Sequence, residues 1–284
     1  MKIKAKIIIS VIAAFAIVSC SSYNKVLKSG DVNLMYRTAM EYYKEKKDEK
    51  AFNLFSVVNP YFKGTEKEDS IRFYMGVSCF RMGDFYSSGE IFSDFKRDFP
   101  RNEFIEEAEY LLGMGYYYSS PPANRDQTKT RMAILSFSEF VARYPNSIKR
   151  DECLGHIEEL TQKLYDKDLL NSKVYYNLDY YKAAIHAFKV SLADFPQTTH
   201  REELLYLIAK SNYLYAENSI PAMQRRRYID MMDAYYNLIS EFPETQYRKE
   251  ADKMFETSKA KSRKLASGEI IELTDDGPEL IENE

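Results

Sequence analysis

Cys20 ends a short apolar run, directly after Ile17-Val18-Ser19, and no other nucleophile in this chain has such ordered surroundings. Lys2, Lys4 and Lys6 open the sequence, and Ile7 to Val18 follow as an apolar stretch broken only by Ser10. A charged start, an apolar centre and a small residue before the cut form the grammar of a secretory signal. The stretch holds about a dozen residues, too few to cross a bilayer core, which takes ~20. Elsewhere the residue types of catalysis are present but not assembled. Cys79 and Cys153 sit inside apolar helical patterns, where a thiol behaves as a small hydrophobe. An oxidising compartment would allow them to pair; two separate buried thiols are the preferred reading. His156, His186 and His200 are far apart, and no cluster has metal-ligand spacing. There is no nucleophile elbow, no phosphate-binding Gly loop and no H-E-x-x-H pair. Glu106-Glu107, Glu158-Glu159 and Glu202-Glu203 fall on helix surfaces. Glu202-Glu203 suits a helix first turn, where anions complement the macrodipole, and Glu158-Glu159 reads as a solvated face. His186 falls on the apolar side of a repeat helix and reads as a core residue. The expectation is a protein that is not an enzyme and holds no metal and no cofactor.

The residues around Cys20 resemble the bacterial lipobox: an aliphatic residue three before, a small residue just before, and the cysteine itself. That resemblance implies thioether lipidation of Cys20, cleavage before it and acylation of the new N-terminus. Several acyl chains on one residue anchor stably where one would be marginal. Ser21, rather than Asp, follows the cysteine, which in the sorting rule of such lipoproteins implies the outer membrane.

Removing the leader with its three lysines takes the formal charge from −3 to −6. That balance gives no reason to expect nucleic acid, which is met by a basic face. The chain has 24 Tyr and 17 Phe, no Trp, and only 10 Gly and 9 Pro, so it reads as helical with aromatic seams.

The seams repeat. Pro100, Pro145, Pro196 and Pro243 each follow an aromatic residue: Phe99, Tyr144, Phe195 and Phe242. Eight residues before each proline stand Phe92, Phe137, Phe188 and Tyr235, and twelve before stand Ser88, Ala133, Ala184 and Met231. A small residue four before an aromatic, closed by Pro, marks the second helix of a tetratricopeptide unit. The small residue lets two helices approach, the aromatic is expected to fill the space between neighbouring repeats, and Pro ends the helix. Gly76 sits where the first helix of the second unit wants a small residue, and Gly83-Asp84 supplies its turn. A degenerate first unit keeps Ala39, Tyr42, Ala51, Phe55 and Val58 at the same spacing, with Lys63-Gly64 in place of the closing Pro. The spacing exceeds the standard ~34 residues. Ser119 to Asp126, with Pro121-Pro122, is an insertion in the third repeat. Asp151 to Tyr176 reads as one long helix with apolar Leu154, Ile157, Leu160 and Leu164. Ser219-Ile220-Pro221 breaks the fifth repeat, with Arg225-Arg226-Arg227 just after.

The fold class expected is therefore all-α, a right-handed tetratricopeptide-like solenoid of about five helix-turn-helix repeats. The expected organisation is a signal peptide at 1–19, the lipidated Cys20 and polar tether at 20–30, and repeats at 31–264. The repeats divide at about 31–65, 66–100, 101–146, 147–197 and 198–264. Residues 265–284 form an acidic segment with no Lys or Arg, expected to be disordered and solubilising.

A lipobox joined to five such repeats resembles the BamD family, the lipoprotein subunits of the β-barrel assembly machinery. Tyr36-Arg37-Thr38-Ala39-Met40-Glu41-Tyr42-Tyr43-Lys44 is similar to that family's opening helix. Arg125-Asp126-Gln127 with Ala133, Phe137, Phe140 and Arg143-Tyr144-Pro145-Asn146-Ser147 resembles its third repeat. Glu159, Leu164, Tyr175-Tyr176, Tyr180, Ala183-Ala184 and Phe195-Pro196-Gln197-Thr198 resemble its fourth. Pro121-Pro122 and the longer acidic end depart from the pattern. The resemblance implies a scaffold on the periplasmic face of the outer membrane. It would bind the periplasmic domains of the barrel-forming, BamA-like subunit through its C-terminal repeats. Its N-terminal repeats would receive segments of unfolded outer-membrane proteins.

Stacked helix pairs offer an extended concave surface suited to peptides, and Tyr gives amphipathic contact at little entropic cost. Tyr36, Tyr43, Tyr74 and Tyr86 are the candidate peptide-binding residues, each also readable as core. Arg225, Arg226 and Arg227 are the candidates for an acidic partner, and the same run is also readable as solvated. The residues alone leave open another periplasmic repeat lipoprotein, an envelope or division adaptor or a small nutrient-binding relative. They do not fix the leaflet that Cys20 occupies.

Overall fold

The computed structural model describes residues 23–267; Cys20, the leader and the acidic segment after Ser267 lie outside the described residues. Those described divide into two compact units, split between Thr161 and Gln162. Unit 1 holds α1 (Val32–Lys44), α2 (Asp48–Val58), a short 3-10 turn (Asn59–Phe62), α3 (Glu68–Arg81), α4 (Phe85–Asp98), α5 (Ile105–Tyr118) and α6 (Thr128–Arg143). The split falls inside α7 (Arg150–Asn177), and unit 2 continues with α8 (Tyr181–Asp194), α9 (Arg201–Glu217), α10 (Pro221–Glu241) and α11 (Arg248–Ala266). Among the described residues there is no strand, and the fold is an all-α helical repeat of the tetratricopeptide type.

Two recurring turns build it. Within a pair, the first helix ends in a left-handed residue two positions before the second begins: Lys46 (φ 56°), Gly83 (φ 80°) and Asp179 (φ 60°). Each donates its N–H back three residues, and the next N–H reaches back five, to Tyr42, Cys79 and Tyr175 carbonyls. These bonds satisfy carbonyls that the helix end leaves open. Between pairs, Phe99, Tyr144, Phe195 and Phe242 take one extended conformation, φ −128° to −121° and ψ 52° to 76°. The proline that follows each of them bars the α region.

Helix faces obey the expected spacing where it counts. Phe92, Phe137 and Phe188 are fully buried, as are Ser88, Ala133 and Ala184 four residues earlier. Ser88 Oγ donates to the Gly76 carbonyl at 3.1 Å, an approach that only small residues allow. The rings reach the neighbouring repeat as expected, and they also pack within their own pair. A β-carbon on Gly76 would lie 2.8 Å from the Phe92 ring, and one on Gly113 2.7 Å from Phe137. Each ring therefore seats on the first helix of its own pair, while its other side joins the next pair: Phe92 clusters with Ala108 and Leu112 of α5. The ring is wider than one interface, so it serves both.

Two further positions correct the sequence reading. Leu154 is 39% exposed, and Cys153 takes the buried place, so the α7 stripe runs Cys153, Ile157, Leu160, Leu164. His186 is exposed, not core. It lies two residues from both Ala184 and Phe188, ~200° around the helix from each at 3.6 residues per turn. In the Pro121-Pro122 insertion, buried Gln127 holds the loop: Nε2 donates to the Pro122 and Arg125 carbonyls at 2.8 and 3.1 Å, and Oε1 accepts from Thr130 at 2.6 Å.

Candidate interaction surfaces

Three of the four candidate tyrosines converge because α1 and α3 turn the same side toward the 3-10 turn and the start of α5. Tyr36 and Tyr43 lie seven apart on α1, two helical turns, and both are half-buried. The Tyr36 ring stands 5.6 Å from Phe62, and the Lys67 ammonium caps both rings at 4.9 and 5.2 Å. Tyr43 meets Tyr74 at 4.6 Å, and Tyr74 meets Phe104 at 5.8 Å. Phe104 in turn stacks on Phe73 at 4.5 Å and 11°. Arg81 lies 4.5 Å from the Tyr43 ring, donates to its hydroxyl at 3.3 Å, and pairs with Asp48 at 3.5 Å.

This is an aromatic seam with cationic caps, neither core nor bare surface. Burial pushes the Tyr43 and Tyr74 phenols up from their ordinary range, so both remain neutral hydroxyls. Such rings can take an apolar side chain against their faces, and the hydroxyl edges can hydrogen-bond a peptide backbone.

Tyr86 stands apart from the seam. It is 68% exposed and lines a groove of about 490 Å³ with Tyr116, Glu90 and Lys129. The Lys129 ammonium lies 5.9 Å from the Tyr86 ring and 5.2 Å from Tyr116. Nearby, Tyr118, 54% exposed, stacks on Phe85 at 5.0 Å. Sequence periodicity did not single out Lys67, Arg81, Phe104, Tyr116 or Lys129, since each joins its partners across helices rather than along one. A run of aromatics such as Tyr116-Tyr117-Tyr118 was the one available signal.

The arginine run divides three ways in unit 2. Arg227 lies over the Tyr215 ring at 3.7 Å and donates to Ser219, so its guanidinium is committed to the fold. Arg226 is exposed and pairs with Asp230 at 3.3 Å, one turn along α10. Arg225 is exposed and has no ion pair among the described residues. The run therefore offers one free cation, one weakly held and one structural.

Cys20 lies outside the described residues. Among those described, no group of three or more His, Cys, Asp or Glu could hold a metal, and no helix is long and apolar enough to cross a membrane.

Residues 28–228 match the model of the YfiO family, described as outer membrane lipoprotein. The outer membrane protein assembly factor BamD of Rickettsia prowazekii (strain Madrid E) is 25% identical over 167 residues, covering 59% of this chain and 66% of that protein. The BamD of Caulobacter vibrioides (strain ATCC 19089 / CIP 103742 / CB 15) is 24% identical over 212 residues, covering 72% of this chain and 68% of that protein. The chain thus spans about two thirds of these curated relatives. Among solved structures, the TPR2AB-domain:pHSP90 complex of yeast Sti1 aligns over 80% of this chain and 98% of that one, with 11% identity and a TM-score of 0.36. That overlap is too loose to add to the fold.

Proposed function

The chain belongs to the YfiO family of outer membrane lipoproteins, and on that premise we propose that it is a non-enzymatic scaffold for outer-membrane protein assembly. In this reading Cys20 carries the lipid that holds the repeats at the periplasmic face of the outer membrane. Helices α7 to α11 bind the periplasmic domains of a barrel-forming, BamA-like subunit, and α1 to α4 receive segments of unfolded outer-membrane proteins. The observation that carries the proposal is the family match over residues 28–228, and both curated relatives bear the assembly-factor name. The surfaces support it chemically. Extended, partly aromatic client segments fit the Tyr36–Tyr43–Tyr74 seam and the Tyr86 groove, where ring faces and hydroxyls are available together. Arg225 and Arg226 supply outward charge for an acidic partner loop.

The test is co-purification of the tagged chain from detergent-solubilised outer membranes. Recovery of a large β-barrel protein with periplasmic domains is expected, and its repeated absence would remove the assembly role. The surfaces are separated by point variants rather than truncation, because α10 and α11 fill the core of unit 2 through Met231, Tyr235, Leu238 and Met254. Tyr43→Ala/Tyr74→Ala should weaken binding of unfolded client peptides while the barrel protein is still recovered.

A further inference from the structure

Helix α11 is the last helix among the described residues, and it lies beyond 28–228, the span that matches the family. Its inner side is set by Ala251, Met254, Ser258 and Ser262, all buried, with Ala251 and Met254 in the core of unit 2. On the opposite side, Lys249, Lys253, Ala260 and Lys264 fall within about 60° of one another at 3.6 residues per turn, with Arg263 about 40° further round. All five are exposed. From Lys249 to Lys264 the stripe runs ~22 Å at 1.5 Å per residue. None of its four cations makes a side-chain hydrogen bond or ion pair among the described residues. The anions around them are engaged by other cations: Glu250 by Lys210 at 3.0 Å, Asp252 by Arg248 at 2.9 Å and Glu256 by Lys259 at 3.8 Å.

The end of a repeat array needs a polar outer face for solubility, but a solubilising face mixes both signs. This one leaves four cations unpaired. A protein partner would be met by apolar anchors at the centre of the patch, and none of the exposed large hydrophobic side chains lies on α11. A cleft of about 210 Å³ between α9 and α11 borders Lys253, but its other cation, Lys210, is already on Glu250, so it is no seat for a single headgroup. Charge spread along one helix face, without a pocket or an apolar centre, complements a broad anionic plane.

We propose that the Lys249–Lys253–Lys264 face of α11 rests on the anionic phospholipid surface of a membrane. The contact fixes how unit 2 lies against the bilayer and is separate from the acyl chains on Cys20. Each Lys or Arg at such a surface contributes roughly fivefold, which suffices for a protein already tethered there. Only the tether rests on the proposed lipidation of Cys20.

The experiment reconstitutes the mature full chain with phosphatidylcholine vesicles, with and without phosphatidylglycerol. Ala260→Cys carries a bimane fluorophore, and the lipids carry a nitroxide quencher at the headgroup. The parent protein, whose Cys79 and Cys153 are buried, is the labelling blank. Flotation with both vesicle types is expected, through the tether, but quenching only where phosphatidylglycerol is present. Phosphatidylserine at equal charge should act the same, and about 0.5 M salt should weaken both, because it screens exposed charges. Lys249→Gln/Lys253→Gln/Lys264→Gln should lower the docked-to-free ratio roughly 100-fold, at about fivefold for each cation, with an unchanged melt. Lys249→Arg/Lys253→Arg/Lys264→Arg should retain the quenching. Flotation with phosphatidylglycerol vesicles alone would keep the α11 contact and remove the tether; flotation with neither would remove both. Quenching that is absent, equal in the two vesicle types, or unchanged in the Gln variant would overturn the proposal, as would capture of an acidic protein by this face without quenching.

Discussion

Glu217, the last residue of α9, accepts a hydrogen bond at 2.7 Å from the hydroxyl of Tyr228, whose side chain is fully buried in α10. Lys261 of α11 donates to the same carboxylate at 2.9 and 2.6 Å, so one side chain ties three helices. Burial first, and the neighbouring carboxylate second, push the Tyr228 phenol far above its ordinary range, which keeps it a donor. Glu217→Ala should cost about 1–3 kcal/mol, the penalty for an orphaned buried donor. Tyr228→Phe should cost about 1 kcal/mol, and the double variant less than the two together, since both remove one interaction. Urea midpoints of the four proteins measure this; strict additivity would mean the bond contributes nothing.

The glycines and left-handed turns predict opposite signs at similar-looking positions. Gly76→Ala forces a β-carbon into the Phe92 ring and should destabilise by about 1–3 kcal/mol. Gly155→Ala, in the interior of α7 with no atom within 4 Å, should stabilise by about 1 kcal/mol through helix propensity alone. Lys46→Gly relieves a left-handed side chain and should also stabilise, by about 1 kcal/mol. Thermal melts of the three variants give the order Gly76→Ala below wild type, and the other two above it.

Burial pushes the Cys79 thiol up from its ordinary 9.0 to about 12, and Cys153 up to about 11. Both are fully buried and free. A thiolate-dependent alkylating reagent at pH 8 should leave both unmodified until denaturant is added. The sign of the linkage follows: the folded pKa values lie above the unfolded value. The stability they contribute is whole below about pH 9 and is lost as pH rises through the folded values. A urea midpoint that falls between pH 9 and 11, and falls less in Cys79→Ala relative to its own neutral value, checks it.

Arg225 and Arg227 should separate function from packing. Arg225→Glu should leave the melt unchanged and weaken capture of an acidic partner in a pull-down. Arg227→Ala should lower the melting temperature, because it strips a guanidinium from the Tyr215 ring. If Arg227→Ala melts like wild type, its contact with Tyr215 is not structural.

Cys20→Ala should abolish incorporation of labelled fatty acid and leave a larger, uncleaved precursor. Gel mobility and label counting read both effects. A labelled, membrane-bound variant would place the anchor elsewhere.

The helical repeat was legible because its signals are local. Pro100, Pro145, Pro196 and Pro243 each terminate a helix and force the preceding aromatic into one conformation. Small residues four before Phe92, Phe137 and Phe188 fall on one helical face whatever the rest of the chain does. The turn at Gly83 was readable from the glycine. The identical turns at Lys46 and Asp179 were not, because hydrogen bonds from residues on both sides hold them left-handed against their own preference. His186 was misplaced for a related reason: hydrophobic neighbours in sequence do not share its side of the helix.

The sequence by itself therefore determined the helix order, the closing turns and the buried aromatic at the centre of each pair, since these depend on backbone sterics and periodicity. It also carried the ordered signal elements before Cys20. Only the tertiary structure decided which tyrosines meet and which arginine is free. Tyr43 finds Tyr74 across two helices, Arg227 is spent on Tyr215, and Arg225 is left outward. Such pairings depend on the rotation and register of whole helices against each other. Those are set by the summed packing of many small contacts, which no single residue spacing encodes.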